Sequence, residues 1–138
     1  MYTENFISAK ELDYALKVGV TLNIGALETL ETHKDKLRGK SIYVRINPKL
    51  GAGTSYHVIT GGPKSKFGVY EDNIDEFIKV AKDNNIRIKG IHQHIGSNLK
   101  KKDEGVFLKT LGYVASLLPK FGEVEVINIG GGLGVAYQ

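Results

Sequence analysis

Residues 41–47, SIYVRIN, followed at once by Pro48, read as one buried β-strand. The run is rich in β-branched and aromatic side chains, and the proline that closes it has no N–H to give a sheet. The spacing on either side is helical. Upstream, Ala26 to Lys36 carries Leu27, Leu30 and then Leu37, and stops near Gly39. Downstream, Glu71 to Asn84 places Ile74, Phe77, Ile78 and Ala81 on one stripe. A buried strand between two amphipathic helices is the repeating unit of a parallel sheet.

Working outward, the unit recurs. Val20 to Ile24 is a short apolar strand, preceded by a helix that Ser8 caps, with Glu11 three residues on completing a capping box. Leu12, Ala15 and Leu16 carry that helix to a stop at Gly19. On the other side, Ile86 to Ile95 is a strand and Phe107 to Phe121 a helix interrupted late by Pro119. Val124 to Ile129 is the last strand, and Tyr2-Thr3 is the remnant of a first. Five strands alternating with helices make about half of a (β/α)8 barrel, which typically takes about 250 residues. The fold class expected is therefore α/β, a partial (β/α)8 TIM barrel, with residues 1–138 forming a single incomplete domain. Half a barrel has open edges and little reason to be soluble alone.

Composition sets the outer bounds. The chain has 138 residues with 41% hydrophobic and 25% charged, which excludes disorder. No apolar run approaches the ~20 residues of a membrane span, no signal peptide opens the chain, and there is no cysteine, which fits a cytoplasmic setting. The net charge of +4 suggests an acidic or phosphorylated partner. The basic run Lys100-Lys101-Lys102 is followed by Asp103 and Glu104 and reads as a solvated loop, not a nucleic-acid contact. Glycine is in excess, at 17 residues. These concentrate in Gly51 to Gly68 and Gly130 to Gly134, each after a strand.

In parallel α/β folds ligands bind at the carboxyl ends of the strands. Gly130-Gly131-Gly132 follows VEVINI there. Consecutive glycines let backbone N–H groups approach an anion, phosphate being the usual one, although a tight structural turn fits equally well. His92 and His94, two apart near a strand end, can face one cavity, with Gly96 and Ser97 following. The pair could chelate a divalent metal given a further carboxylate or histidine. His57 is a candidate for that role, but no strand ends in Asp or Glu. Arg45, inside a buried strand, needs either a salt bridge or a ligand. Lys66 lies in the SKFG segment that closes the long loop.

Taken in order, VRINP (44–48), GAG (51–53), VITGGPKSKFG (58–68), GIHQHIGS (90–97) and INIGGGLGV (127–135) resemble the diaminopimelate decarboxylases. These are pyridoxal 5'-phosphate (PLP) enzymes of the alanine-racemase-like barrel, related to the ornithine and arginine decarboxylases. The resemblance runs through essentially the whole chain. It implies that His94 stacks on the cofactor ring, the role nearest to a catalytic one here. It also implies that Ser97 with Gly130, Gly131 and Gly132 holds the phosphate and that Arg45 approaches the phenolic oxygen. His92 and Lys66 would line the site, and no metal is expected. Thr54 and Ser55 stand where many members have histidine.

The resemblance further implies that the lysine bonded to the cofactor lies upstream of this chain. The acid that pairs with the pyridine nitrogen, the substrate-binding groups and a C-terminal β domain would lie downstream. The expected parent is a cytoplasmic homodimer with a shared active site, converting meso-diaminopimelate to L-lysine and CO2. The 138 residues alone are expected to be inactive. The alternatives are a decarboxylase of ornithine, arginine or carboxynorspermidine, a metal-dependent barrel hydrolase, or a non-catalytic homologue.

Overall fold

A computed structural model describes residues 1–4, 6–50 and 65–135. Five strands, β1 (Tyr2–Thr3), β2 (Leu22–Ile24), β3 (Ser41–Arg45), β4 (Arg87–His92) and β5 (Val126–Asn128), form one sheet. All neighbours are parallel and the spatial order follows the chain, β1-β2-β3-β4-β5. Between them run α1 (Ala9–Lys17), α2 (Leu27–Leu37), α3 (Glu71–Asp83) and α4 (Glu104–Phe121), the last entered through a 3-10 turn at Lys101–Asp103.

The strand order decides between the two parallel architectures. A doubly wound sheet reverses its order at a switch point and carries helices on both faces. Here the order never reverses, and the helices pack on one face. Leu22, Ile24, Ile42, Val44 and Ile91 from that face share a single core with Leu12, Leu30, Phe77, Ile74, Val114 and Leu117 from the four helices. A parallel sheet in chain order with its helices on one face is the arrangement of part of a (β/α)8 barrel, whose interior is the face away from the helices.

Local chemistry accounts for the helix limits. Ser8 Oγ accepts the Glu11 N–H and Glu11 Oε2 accepts the Ser8 N–H at 2.8 Å, so the capping box forms as the sequence suggests. Gly19 and Gly39 leave α1 and α2 at φ +71° and +73°. Asn85 does the same after α3 at φ 55°, where its short polar side chain tolerates the left-handed region.

The sequence reading fails at several boundaries. α4 runs through Pro119 without interruption and stops at Gly122, φ +71°. A proline in the last turn gives up one bond, to the Ala115 carbonyl, and Ala115 is solvent-exposed, so water can replace it. Two strands are shorter at both ends than their apolar runs: β4 covers 87–92 within 86–95, and β5 covers 126–128 within 124–129. Beyond His92 the chain turns at Gly96 and Asn98, φ +152° and +58°.

Lys100, Lys101 and Lys102 are exposed, as expected of a solvated segment. So are Tyr14 and Val18 on α1 and at its end, Val20 after it, and Ile127, Ile129 and Leu133 in and after β5. No helix among the described residues is long and apolar enough to cross a membrane.

Candidate active site at the carboxyl ends of the strands

Register decides which side chains face the interior. Thr3, Asn23 and Tyr43 are partners across β1, β2 and β3, and Tyr43 pairs with Gly90 of β4. Two residues on, Arg45 pairs with His92, and His92 with Asn128 of β5. The side facing the helices is aliphatic, whereas this one is polar. A polar interior at the strand ends is where a (β/α)8 fold assembles its ligand site.

His94 lies beyond the end of β4, not inside a strand as the sequence suggests. The alternation nevertheless persists: Gln93 points outward, its Nε2 donating to Thr110 Oγ1 of α4 at 3.3 Å, and its backbone N–H bonds the Asn128 carbonyl. His92 and His94 therefore stay on the interior side together. His92 is buried, with Asn23 Nδ2 2.7 Å from its Nδ1. Burial, then the positive Arg45 and then His94, push its pKa down from 6.5 to about 4. Burial and Arg45 lower His94 as well. Both rings are neutral at physiological pH.

The glycine run folds back onto this segment. Gly131 N–H points at His94 Nδ1, 3.4 Å away. The Leu99 N–H bonds the Gly132 carbonyl and the Gly134 N–H bonds the Leu99 carbonyl, each at 2.8 Å. Gly130 and Gly132 have φ +78° and +86°. A β-carbon on Gly130 would lie 2.5 Å from the Gln93 carbonyl oxygen and 2.9 Å from His94 Nδ1. One on Gly132 would strike the Gly96 carbonyl and come within 3.1 Å of Ser97 Cα. Gly131 differs, with nothing within 4 Å of that position. Ser97, His94 and Gly130 to Gly132 thus form one continuous cradle.

Arg45 joins the cradle to the other end of the sheet. It is 6% exposed, and its guanidinium lies 4.9 Å from the centre of the Phe67 ring. Lys66 sits over the same ring at 5.3 Å and over Phe6 at 5.8 Å. Lys66, Phe67, Arg45 and Glu4 line a small pocket of about 30 Å³.

Glu4 was missed by the sequence reading, which found no strand ending in an acid. It directly follows β1, is 3% exposed, and accepts the Gly25 N–H at 2.8 Å and the Phe6 N–H at 2.9 Å. Its charge favours the ionised form of Arg45, against the burial that disfavours it. Asn128 was missed too: its Oδ1 accepts the Gly130 N–H at 2.9 Å and sets up the glycine turn. So was Asn47, whose Nδ2 donates to the Phe67 carbonyl and whose Oδ1 accepts the Lys49 N–H, both at 2.9 Å. It clips together the two sides of the long glycine-rich loop.

His57, Thr54 and Ser55 lie outside the described residues. Among the described residues no three His, Cys, Asp or Glu side chains converge as a metal site would require. A larger hollow of about 340 Å³, between Leu99, Phe107 and Leu133, contains none of the anticipated site residues.

The sequence profile described as pyridoxal-dependent decarboxylase, pyridoxal binding domain, matches residues 1–138. The diaminopimelate decarboxylase of Methanothermobacter thermautotrophicus is 37% identical over 99% of this chain and 33% of its own length. That of Escherichia coli is 28% identical over 100% and 32%. A crystal structure of diaminopimelate decarboxylase from Helicobacter pylori, complexed with L-lysine, matches with TM-score 0.80 and 32% identity, over 99% of this chain and 36% of that one. The arginine decarboxylase of a Paramecium bursaria Chlorella virus, at 19% identity and TM-score 0.73, shares the fold. The chain spans about a third of the length of the relatives it matches.

Proposed function

The chain belongs to the pyridoxal-dependent decarboxylases, and from that premise we propose that it is the PLP-binding part of an enzyme that decarboxylates meso-diaminopimelate to L-lysine. The observation that carries the reading is the cradle at 130–132. Two of its three glycines are required by the chain's own packing, while Gly131 opens onto free space where a β-carbon would intrude on a bound group. That arrangement fits a phosphate. On this reading Gly130, Gly131, Gly132 and Ser97 surround it: the Gly132 N–H and the Ser97 hydroxyl would donate to it, the long Gly131 contact to His94 would give way to it, and Gly130, its N–H taken by Asn128 Oδ1, would shape the turn.

The chemistry supplied by the bound cofactor is that of an electron sink, taking up the pair left behind when CO2 departs. The chain's own residues position and shield. His94, kept neutral by burial and Arg45, presents an uncharged ring that would stack on the cofactor and shield one face from water and protons. Arg45, packed on the Phe67 ring and kept charged by the nearby Glu4 carboxylate, would set a positive potential toward the cofactor's phenolic oxygen. His92 and Lys66 line the remaining wall.

We also read residues 1–138 as one incomplete barrel domain. The cofactor-bonding lysine, the substrate-binding groups and a C-terminal β domain belong to the rest of a cytoplasmic homodimer. The identity to two diaminopimelate decarboxylases supports this substrate over ornithine, arginine or carboxynorspermidine. The test is a competition assay on the full-length protein loaded with PLP. CO2 release is expected from meso-diaminopimelate, with much slower release from the other three. Preference for any of those, or no CO2 at all, overturns the reading. The 138-residue chain assayed alone is expected to release none.

A further inference from the structure

We propose that Asn23 is a positioning residue for His92, holding its imidazole in the Nε2–H tautomer so that it meets the bound ligand as a hydrogen-bond donor. This rests on the reading of the site given above, and the geometry makes it specific. Asn23 is fully buried, and its Nδ2 contacts two acceptors, Thr3 Oγ1 at 3.2 Å and His92 Nδ1 at 2.7 Å. An amide nitrogen has two hydrogens and no lone pair to share, so both partners must accept. A neutral imidazole has one donor and one acceptor nitrogen, and whichever bond one makes fixes the other. With Nδ1 accepting, the proton resides on Nε2.

The ring's neutrality has identified causes. The charged and titratable groups facing it are Arg45 from β3 and His94 beyond the end of β4, and both oppose a positive charge there. Among the described residues Nε2 has no hydrogen-bond partner. It is therefore the nitrogen left to act on a ligand, on the interior face beside Arg45. A donor next to an arginine suits an anionic oxygen, of the kind carried by a phenolate or a carboxylate.

The test is a long-range ¹⁵N–¹H correlation spectrum of the full-length protein labelled with ¹⁵N-histidine, the His92 signals being assigned by their loss in His92→Gln. An unprotonated Nδ1 and a protonated Nε2 are expected with or without PLP. In Asn23→Leu, which removes the donor at similar volume, the tautomer ratio should move toward Nδ1–H by about ten-fold, the equivalent of one hydrogen bond. In Asn23→Asp the carboxylate can only accept, so the tautomer should reverse and the pKa of His92 should rise. A wild-type Nδ1–H, or an unchanged ratio in Asn23→Leu, overturns the proposal. If neither variant folds, the wild-type spectrum still overturns the proposal where it shows Nδ1–H. Failure of PLP binding or CO2 release would instead sink the functional reading and leave the tautomer result standing.

Discussion

The ring of Tyr43 occupies the space that a side chain on Gly90 would need: a β-carbon there would lie 2.7 Å from ring atoms Cδ1 and Cε1. The two residues are register partners across β3 and β4 on the interior face. Glycine is therefore required by a neighbour and not by a turn. Gly90→Ala is expected to cost about 1–3 kcal/mol, the range for overpacking a filled site. Most of that should be recovered in the double variant with Tyr43→Val. Urea unfolding of the four proteins reads the coupling, and strictly additive costs would show that the ring moves aside freely.

The three glycines of the cradle should separate by function. Gly130→Ala and Gly132→Ala each combine a positive φ with a backbone collision, and each is expected to destabilise the protein by about 1–3 kcal/mol. Gly131→Ala meets nothing within 4 Å, so stability should stay within about 0.5 kcal/mol of wild type. Its PLP affinity should nevertheless fall. Denaturation together with PLP titration, followed by absorbance, distinguishes the cases. Unchanged PLP affinity in Gly131→Ala would place the phosphate elsewhere.

Much of this architecture is legible in the sequence because each βα unit carries its own periodicity, and Gly19, Gly39 and the Ser8–Glu11 box stop or start helices by local chemistry alone. The interior face is harder to read. In SIYVRIN the outward Ile42 and Val44 give the strand its buried look, while Tyr43 and Arg45 alternate with them; only a barrel interior explains why that second face is polar. Glu4 escapes notice because β1 is two residues long, too short for any period to mark where it ends. Asn128 and Asn47 act through backbone partners brought in by the turn itself, and nothing in their sequence neighbourhood announces those bonds. The pairing of Asn23 with His92 spans 69 positions and skips over β3, a relation that depends on register across three strands.

Glu4 is a second place where one side chain holds several groups. Its carboxylate receives two backbone N–H bonds, from Gly25 and Phe6, and stabilises the charge on Arg45. Glu4→Gln keeps the shape but turns one acceptor into a donor, leaving a buried N–H facing N–H. A loss of about 1–3 kcal/mol is expected. Glu4→Asp should recover little, because the shorter side chain cannot span both donors. PLP affinity should drop further than stability alone explains, since Arg45 loses its counter-charge. A Glu4→Gln variant with wild-type stability would remove the carboxylate from this role.

His92 makes stability depend on pH with a definite sign. Its pKa is about 4 in the folded protein against 6.5 ordinarily, so between those values the unfolded chain binds the proton and the folded one resists it. The contribution is complete above pH 6.5, declines as pH falls, and levels off below about 4, amounting to no more than about 3.4 kcal/mol. Carboxylates titrate in the lower part of the same window, so the comparison has to be internal. Stability of wild type and of His92→Asn, each measured at pH 7 and at about pH 4.5, isolates the histidine. The decline should be smaller in the variant, which has no imidazole to protonate. Equal declines in the two proteins would mean that the buried ring takes up its proton without disturbing the fold, and would place the histidine in a wetter site than its burial beside Arg45 describes.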